Sequence, residues 1–192
     1  SSVNITKWHE WKNTDLIETA IYFLDGVLEE FLAKTSGRDS LIRAHRSAKK
    51  GRAIGLGVLG WHTFLQNERV PFSSIAATSY THQIFSQIKN QAEAASRKLA
   101  DEYGEPLWCK GTGMRNTHLM AIAPTVSNST ISGGVSAGIE PIPANVYTFN
   151  SAKGTFIRKN SALESYLIDR GSNTEEVWDA IMKDRGSVAN LP

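Results

Sequence analysis

Between residues 124 and 130 the chain runs Pro124-Thr125-Val126-Ser127-Asn128-Ser129-Thr130, with four hydroxyls and one amide in seven residues. A short helix is expected to begin within this run. Exposed backbone N–H groups at a helix start hold phosphate oxygens, and the positive helix end favours their charge. Hydroxyls from Thr125, Ser127, Ser129 and Thr130 add donors there without adding bulk. The plain alternative is an N-cap followed by a polar turn, and composition leaves both readings open. Downstream, Gly133-Gly134-Val135-Ser136-Ala137-Gly138-Ile139-Glu140-Pro141 bends the chain tightly, either as backbone close to a ligand or as a surface loop. Glu140 is expected to fix the turn before Pro141 rather than serve as an acid or base. The single cysteine, Cys109, has no evident activating partner and is expected to be a buried or incidental thiol. His9, His45, His62, His82 and His118 share no metal-ligand spacing.

The elements around these residues are mostly helices. Leu16, Ile17, Ala20, Ile21, Leu24, Val27, Leu28, Phe31 and Leu32 recur at helical spacing across residues 15–32, with Asn13, Thr14 and Asp15 offering capping oxygens. The basic stretch 34–52 is expected to be a solvated connection. Residues 53–61 are apolar and punctuated by glycine. They predict a short strand or buried turn entering a helix through Trp61, Phe64 and Leu65. Gly55, Gly57 and Gly60 fit a GxGxxG pattern. No strand of adequate length precedes them, and no acidic residue is suitably placed about twenty residues later, so a dinucleotide fingerprint is rejected. Pro71-Phe72-Ser73 opens a long helix to about Tyr103, its apolar seam being Ala77, Thr81, Ile84, Ile88, Ala92, Ala95 and Leu99, with Gly104 and Pro106 as stops. Residues 118–123 predict a short buried strand ending at Pro124. Residues 145–150 and 155–159 predict a hairpin around Ala152-Lys153-Gly154, and amphipathic helices follow near residues 161–169 and 174–183.

The order of these blocks resembles a known family. Met114-Arg115-Asn116-Thr117-His118-Leu119, then Ala123-Pro124-Thr125 with its hydroxyl run, then Gly138-Ile139-Glu140-Pro141, is similar to the late barrel region of the ribonucleotide reductase large subunit. There the run is an (L/M)RN strand entry, a phosphate loop after a proline and an (N/G)GIEP-like turn. Residues 54–61 resemble the family's IG(I/L)GV(M/L)G block, and Ser2, Val3 and Asn4 match the end of its C-N-L-x-S-x-N context. The resemblance covers nearly all 192 residues.

What the resemblance implies is an α/β fold, mainly helical: a partial segment of a ten-stranded α/β barrel, residues 1–192 forming one late portion of it. It implies that Pro124, Thr125, Val126, Ser127 and Asn128 hold the substrate's phosphates, with Val126 contributing only its N–H and Asn128 departing from a small hydroxyl residue. It also implies thiyl-radical reduction of a ribonucleoside diphosphate by the parent subunit. The finger-loop and redox cysteines would lie upstream of Ser1, and a tyrosine pair and tail cysteines downstream of Pro192. The chain is thus expected to be inactive alone and to hold no cofactor. The parent would need a thiol reductant and a radical generator, an iron-dependent small partner subunit or, in the other branch, cobalamin. The Lys153 hairpin and the 185–188 tail look closer to the iron-dependent branch. The remainder of the large subunit is the implied partner, and exposed barrel surface predicts homo-oligomers.

Totals add limits rather than direction. Net charge is +2, from 21 basic and 19 acidic residues, with no stretch as dense as a nucleic-acid patch. No apolar run reaches the roughly 18 residues needed to span a bilayer, and the first ten residues lack signal-peptide features. A cytoplasmic protein without nucleic-acid or membrane partners is the expectation. The sequence opens without Met and ends on Asn190-Leu191-Pro192, as a piece of a longer protein does. Alternatives are a free-standing phosphate- or partner-binding module that reuses this barrel segment, and an interaction protein working through its long helices.

Overall fold

The computed structural model describes residues 1–151 and 154–191, with Ser151 as backbone only. Three short segments lie side by side in parallel. Strand β1 (Ser2–Asn4) pairs with β2 (Gly57–Leu59) in the register Ser2↔Gly57, Val3↔Val58, Asn4↔Leu59. On the other side Leu56 bridges Met120, with Leu56 N–H donating to Leu119 O at 2.8 Å and Ala121 N–H to Leu56 O at 3.2 Å. Gly57 is needed at the centre, because a Cβ there would come within 2.8 Å of Ala121 O. Gly55 and Gly57 of the rejected fingerprint thus serve close strand packing. Parallel neighbours need long crossovers, and helices supply both of them.

The first crossover contains α1 (Trp8–Trp11), α2 (Leu16–Thr35) and α3 (Ile42–Gly51). The second contains α4 (Trp61–Asn67) and α5 (Ile75–Tyr103). Ile17 and Ile21 of α2 share one core with Ile84, Ile88, Ala92, Ala95 and Leu99 of α5, joined by Trp8, Phe64 and Leu65. The predicted α5 seam is buried except at Thr81, whose hydroxyl donates to Ala77 O at 2.8 Å while the residue stays exposed. In α2 the predicted stripe is too wide: Leu16 and Val27 are exposed, and Asp25 takes a buried place on that face. Thr14, rather than Asp15, meets the first turn, accepting from Leu16 N–H at 3.3 Å.

Two expectations fail for physical reasons. Residues 34–52 are not a solvated connection, because α3 occupies much of that stretch and Arg52 behind it is buried at 4% exposure. Residues 118–123 pair only along one edge, so the expected buried strand shrinks to a single bridge and Ile122 is 78% exposed.

Helix α6 (Val126–Ile131) follows this segment. Strands β3 (Val146–Ser151) and β4 (Gly154–Lys159) form the expected antiparallel hairpin, while Ala152 and Lys153 at its predicted tip lie outside the described residues. Helices α7 (Ser161–Asp169) and α8 (Glu175–Lys183) fall where periodicity places them. Val146, Leu167, Trp178 and Ile181 close a second, smaller core beneath the hairpin. The architecture is mainly helical α/β, as expected for part of a barrel. Among the described residues no helix is long and apolar enough to cross a membrane.

Candidate phosphate loop

The glycine tract and the block at residues 54–61 are far apart in sequence and stitched together in space. Gly60 N–H donates to Ser136 O at 2.8 Å and Trp61 N–H to Gly138 O at 3.3 Å. Ser136 N–H donates to Thr63 Oγ1 at 2.9 Å, and Thr63 N–H returns a bond to Ser136 Oγ at 3.2 Å. The Asn4 amide reaches Ser132 O at 3.1 Å, tying β1 to the end of α6. Three sequence blocks and the chain's first strand therefore meet around residues 124–132.

Thr125 is the pivot. Its side chain is buried and makes no N-cap bond; its hydroxyl accepts from Gly138 N–H at 2.7 Å. Gly138 has φ +48°, and a Cβ there would lie 2.9 Å from Ala123 O, so the approach requires glycine. The helix-cap alternative fails at this residue because the hydroxyl is turned across the loop instead of along the helix.

With no cap in place, the backbone N–H groups of Val126, Ser127 and Asn128 donate to no acceptor among the described residues, the first α6 bond being Ser129 N–H to Thr125 O at 2.8 Å. The Val126 side chain is exposed. Ser127 and Asn128 side chains are exposed, and Pro124, without an N–H, sets the entry. The hydroxyls divide in a way that residue type could not show. Ser129 is buried and donates to Val126 O at 3.1 Å. Thr130 donates to the same carbonyl at 3.4 Å and accepts from Arg158 Nη1 at 3.1 Å. Of the four hydroxyls, only Ser127 is free of protein partners among the described residues.

Arg158 was not singled out by the sequence; it stacks its guanidinium 5.0 Å from the Phe149 ring while holding Thr130. Also missed was a buried polar network at the far end of the strands. Arg52 donates from Nε and Nη2 to the two Asp25 oxygens at 2.9 and 2.8 Å and from Nη1 to Glu29 at 2.7 Å. Burial works to lower the Arg52 guanidinium, yet the hydrogen bonds to Asp25 and Glu29 outweigh it and hold the group above the ordinary arginine value. Asn116 donates to Asp25 at 2.9 Å and to Arg52 O at 2.9 Å, and receives the Ser96 hydroxyl at 2.8 Å. A lone carboxylate on an otherwise apolar helix face, Asp25, was the available signal.

Other candidates are quiet. Cys109 is buried, and burial, aided by Glu105, pushes its thiol upward, away from reactivity. Glu140 is exposed, and its carboxylate makes no bond among the described residues. Glu140 holds the turn before Pro141, as expected, through its backbone N–H to Ala137 O at 3.1 Å. His62 Nδ1 accepts from Ile142 N–H at 3.3 Å, and burial lowers the imidazole's affinity for a second proton.

Parallel segments joined by helical crossovers, with a polar loop at the end of one of them, define part of an α/β barrel. The sequence profile of the ribonucleotide reductase barrel domain matches residues 1–110 and 108–192, and the chain belongs to that family. It is 40% identical over its whole length to a Frog virus 3 protein described as a ribonucleoside-diphosphate reductase large subunit, and 38% identical to the ribonucleoside-diphosphate reductase large subunit of Invertebrate iridescent virus 6. A vitamin B12-dependent ribonucleoside-diphosphate reductase of Mycobacterium tuberculosis is 29% identical over 90% of the chain. Among solved structures, the class Id ribonucleotide reductase alpha subunit of Actinobacillus ureae superposes with a TM-score of 0.91 at 43% identity, covering 99% of this chain and 35% of that one. The chain spans 34% and 20% of the two viral relatives.

Proposed function

We propose that residues 1–192 form one late portion of a reductase barrel and supply the wall that holds the diphosphate of a ribonucleoside diphosphate while the parent subunit reduces its ribose. The carrying observation is the row of three unpaired N–H groups at Val126, Ser127 and Asn128, beside a Thr125 hydroxyl fixed to Gly138. Three convergent backbone donors suit a phosphate better than any neutral ligand, and charge-assisted bonds are the strong ones. The Ser127 hydroxyl and the Asn128 amide add side-chain donors, and Thr125 can still donate its own proton. Pro124 orients the entry.

Thiyl-radical chemistry belongs in this reading to the remainder of the large subunit, with a thiol reductant and a separate radical source. The similarity to an alpha subunit at 43% identity, against 29% for the B12-dependent relative, favours a separate small subunit as radical source over cobalamin. Exposed apolar residues such as Ile122 are surfaces the rest of the barrel covers, and their exposure here favours self-association of the chain. The pure 192-residue chain, given reductant and a small subunit, is expected to convert no ribonucleotide to deoxyribonucleotide. Product formation in a radiolabelled nucleotide assay would overturn that assignment of roles.

The loop itself is tested by titrating pyrophosphate into a full-length α subunit that carries this segment. Ser127→Ala removes one donor worth roughly 1.5–3 kcal/mol and leaves the backbone intact, so affinity should fall about tenfold or more without vanishing. Equal affinity in parent and variant removes Ser127 from the site.

A further inference from the structure

Arg158 lies outside the phosphate loop in sequence and against it in space. The hairpin register sets it opposite Tyr147, with the Phe149–Phe156 pair on the same face of the ribbon. The base of the hairpin is pinned. Asn160 donates to Asn145 from its N–H and from its amide, at 2.8 Å each, and the Asn145 N–H and amide both reach Gly186 O, at 3.1 and 3.0 Å. Two residues before that anchor, the half-buried Arg158 side chain leaves the ribbon toward α6. Its guanidinium lies 5.0 Å from the Phe149 ring and its Nη1 donates to Thr130 Oγ1 at 3.1 Å. Glu140 lines the same cavity of about 510 Å³, but no carboxylate pairs with Arg158 among the described residues.

Donor and acceptor roles along this contact are fixed by chemistry. A guanidinium only donates, so Thr130 Oγ1 accepts and keeps its own proton for Val126 O, 3.4 Å away. The Ser129 hydroxyl reaches the same carbonyl at 3.1 Å. Val126 C=O and Ser127 N–H are the two ends of one planar peptide group. That N–H is the middle one of the three donors that meet no protein acceptor among the described residues. A positive charge, a hydroxyl and a peptide therefore stand head to tail, and the row ends at the loop. Bonds in such a row polarise one another, and drawing electron density toward the carbonyl oxygen makes the attached N–H a stronger donor.

We propose that Arg158 is a positioning residue for the substrate's phosphates, acting through Thr130 and the Val126–Ser127 peptide to orient and strengthen the Ser127 N–H. The proposal rests on the loop reading above and adds to it a side chain 28 positions beyond Thr130. The guanidinium stays on Thr130, and only the peptide N–H meets the phosphate.

The test is pyrophosphate titration and steady-state kinetics on a full-length α subunit that carries this segment. Arg158→Ala should weaken pyrophosphate about fivefold, the net worth of one hydrogen bond. The same factor should appear in KM for a ribonucleoside diphosphate rather than in kcat, because ground state and transition state lose the same phosphate contact. Thr130→Val, isosteric but without the hydroxyl, should match Arg158→Ala and keeps the test open if that variant loosens the hairpin. Thr130→Ser, which restores the hydroxyl, should recover the parental affinity. Arg158→Ala and Thr130→Val together should weaken binding no further than either alone, because each cuts the same row. Full additivity overturns the relay and leaves Arg158 acting by charge alone. A lowered urea midpoint with parental affinity in Arg158→Ala overturns it too, assigning the arginine to hairpin stability. Ser127→Asp separates the two readings. Lost binding there, with parental affinity in Arg158→Ala, removes the relay and leaves the loop standing, whereas retained binding removes both.

Discussion

Asp25→Ala is expected to destabilise the chain by about 3–5 kcal/mol, the usual cost of removing one partner from a buried ion pair. Asp25 and Arg52 side chains are 7% and 5% exposed, so water cannot replace the lost carboxylate. Three donors lose the carboxylate at once: Arg52 Nε, Arg52 Nη2, which keeps only Asp25 O, and Asn116 Nδ2, which keeps only Arg52 O. Glu29 cannot take over, because its side chain is 63% exposed and already bonded through Nη1. The network joins α2, α3, α5 and the entry to the 118–121 segment, so its loss loosens the side of the sheet that carries the loop. Urea and thermal unfolding measure the effect, which for a chain of this size corresponds to a fall in Tm of roughly 6–20 °C. Glu18→Ala, which breaks a solvent-screened pair with Lys98, should cost less than about 1 kcal/mol. An Asp25→Ala midpoint within about 1 kcal/mol of the parent would show that the network contributes only geometry.

The other large effect is at Ser127. Ser127→Asp should abolish measurable pyrophosphate binding in the full-length subunit, a fall of more than a hundredfold against roughly ten for alanine. A carboxylate about 5 Å from a phosphate charge costs on the order of 3 kcal/mol at an effective dielectric near 20, and pyrophosphate carries several charges. The lost hydroxyl donor adds to this. The exposed position of Ser127 makes the substitution harmless to folding, so unchanged unfolding with lost binding separates site from scaffold. Retained affinity in the aspartate variant would place the phosphates elsewhere.

How much of this was legible in the sequence depended on the range of the forces involved. The α5 seam could be read because helical periodicity is local and its buried residues follow that spacing. The hairpin and the two last helices were legible for the same reason. Residues 34–52 misled because their charge count looked solvated, whereas the one arginine that matters finds its carboxylate 27 residues away. Residues 118–123 misled because apolarity signals a wish for burial, and only one neighbouring strand is present to grant it. At the loop, residue types singled out seven positions as a candidate site. Which hydroxyls face outward was set by the donor Gly138 N–H and the acceptor Val126 O, a geometry that no single-residue pattern encodes.

Arg52 has φ +46° and ψ +42°, a left-handed backbone that costs a residue with a Cβ about 1–2 kcal/mol. Its backbone would relax as glycine, while its side chain is wanted as arginine by Asp25 and Glu29. No single replacement serves both demands: glycine removes the guanidinium, asparagine suits the turn but is too short to span to α2, and lysine keeps charge without the two-pronged grip. Position 52 is therefore a mutational dead end, tolerant of change only together with Asp25. A library that varies both positions at once should recover apolar or small pairs that neither single library yields.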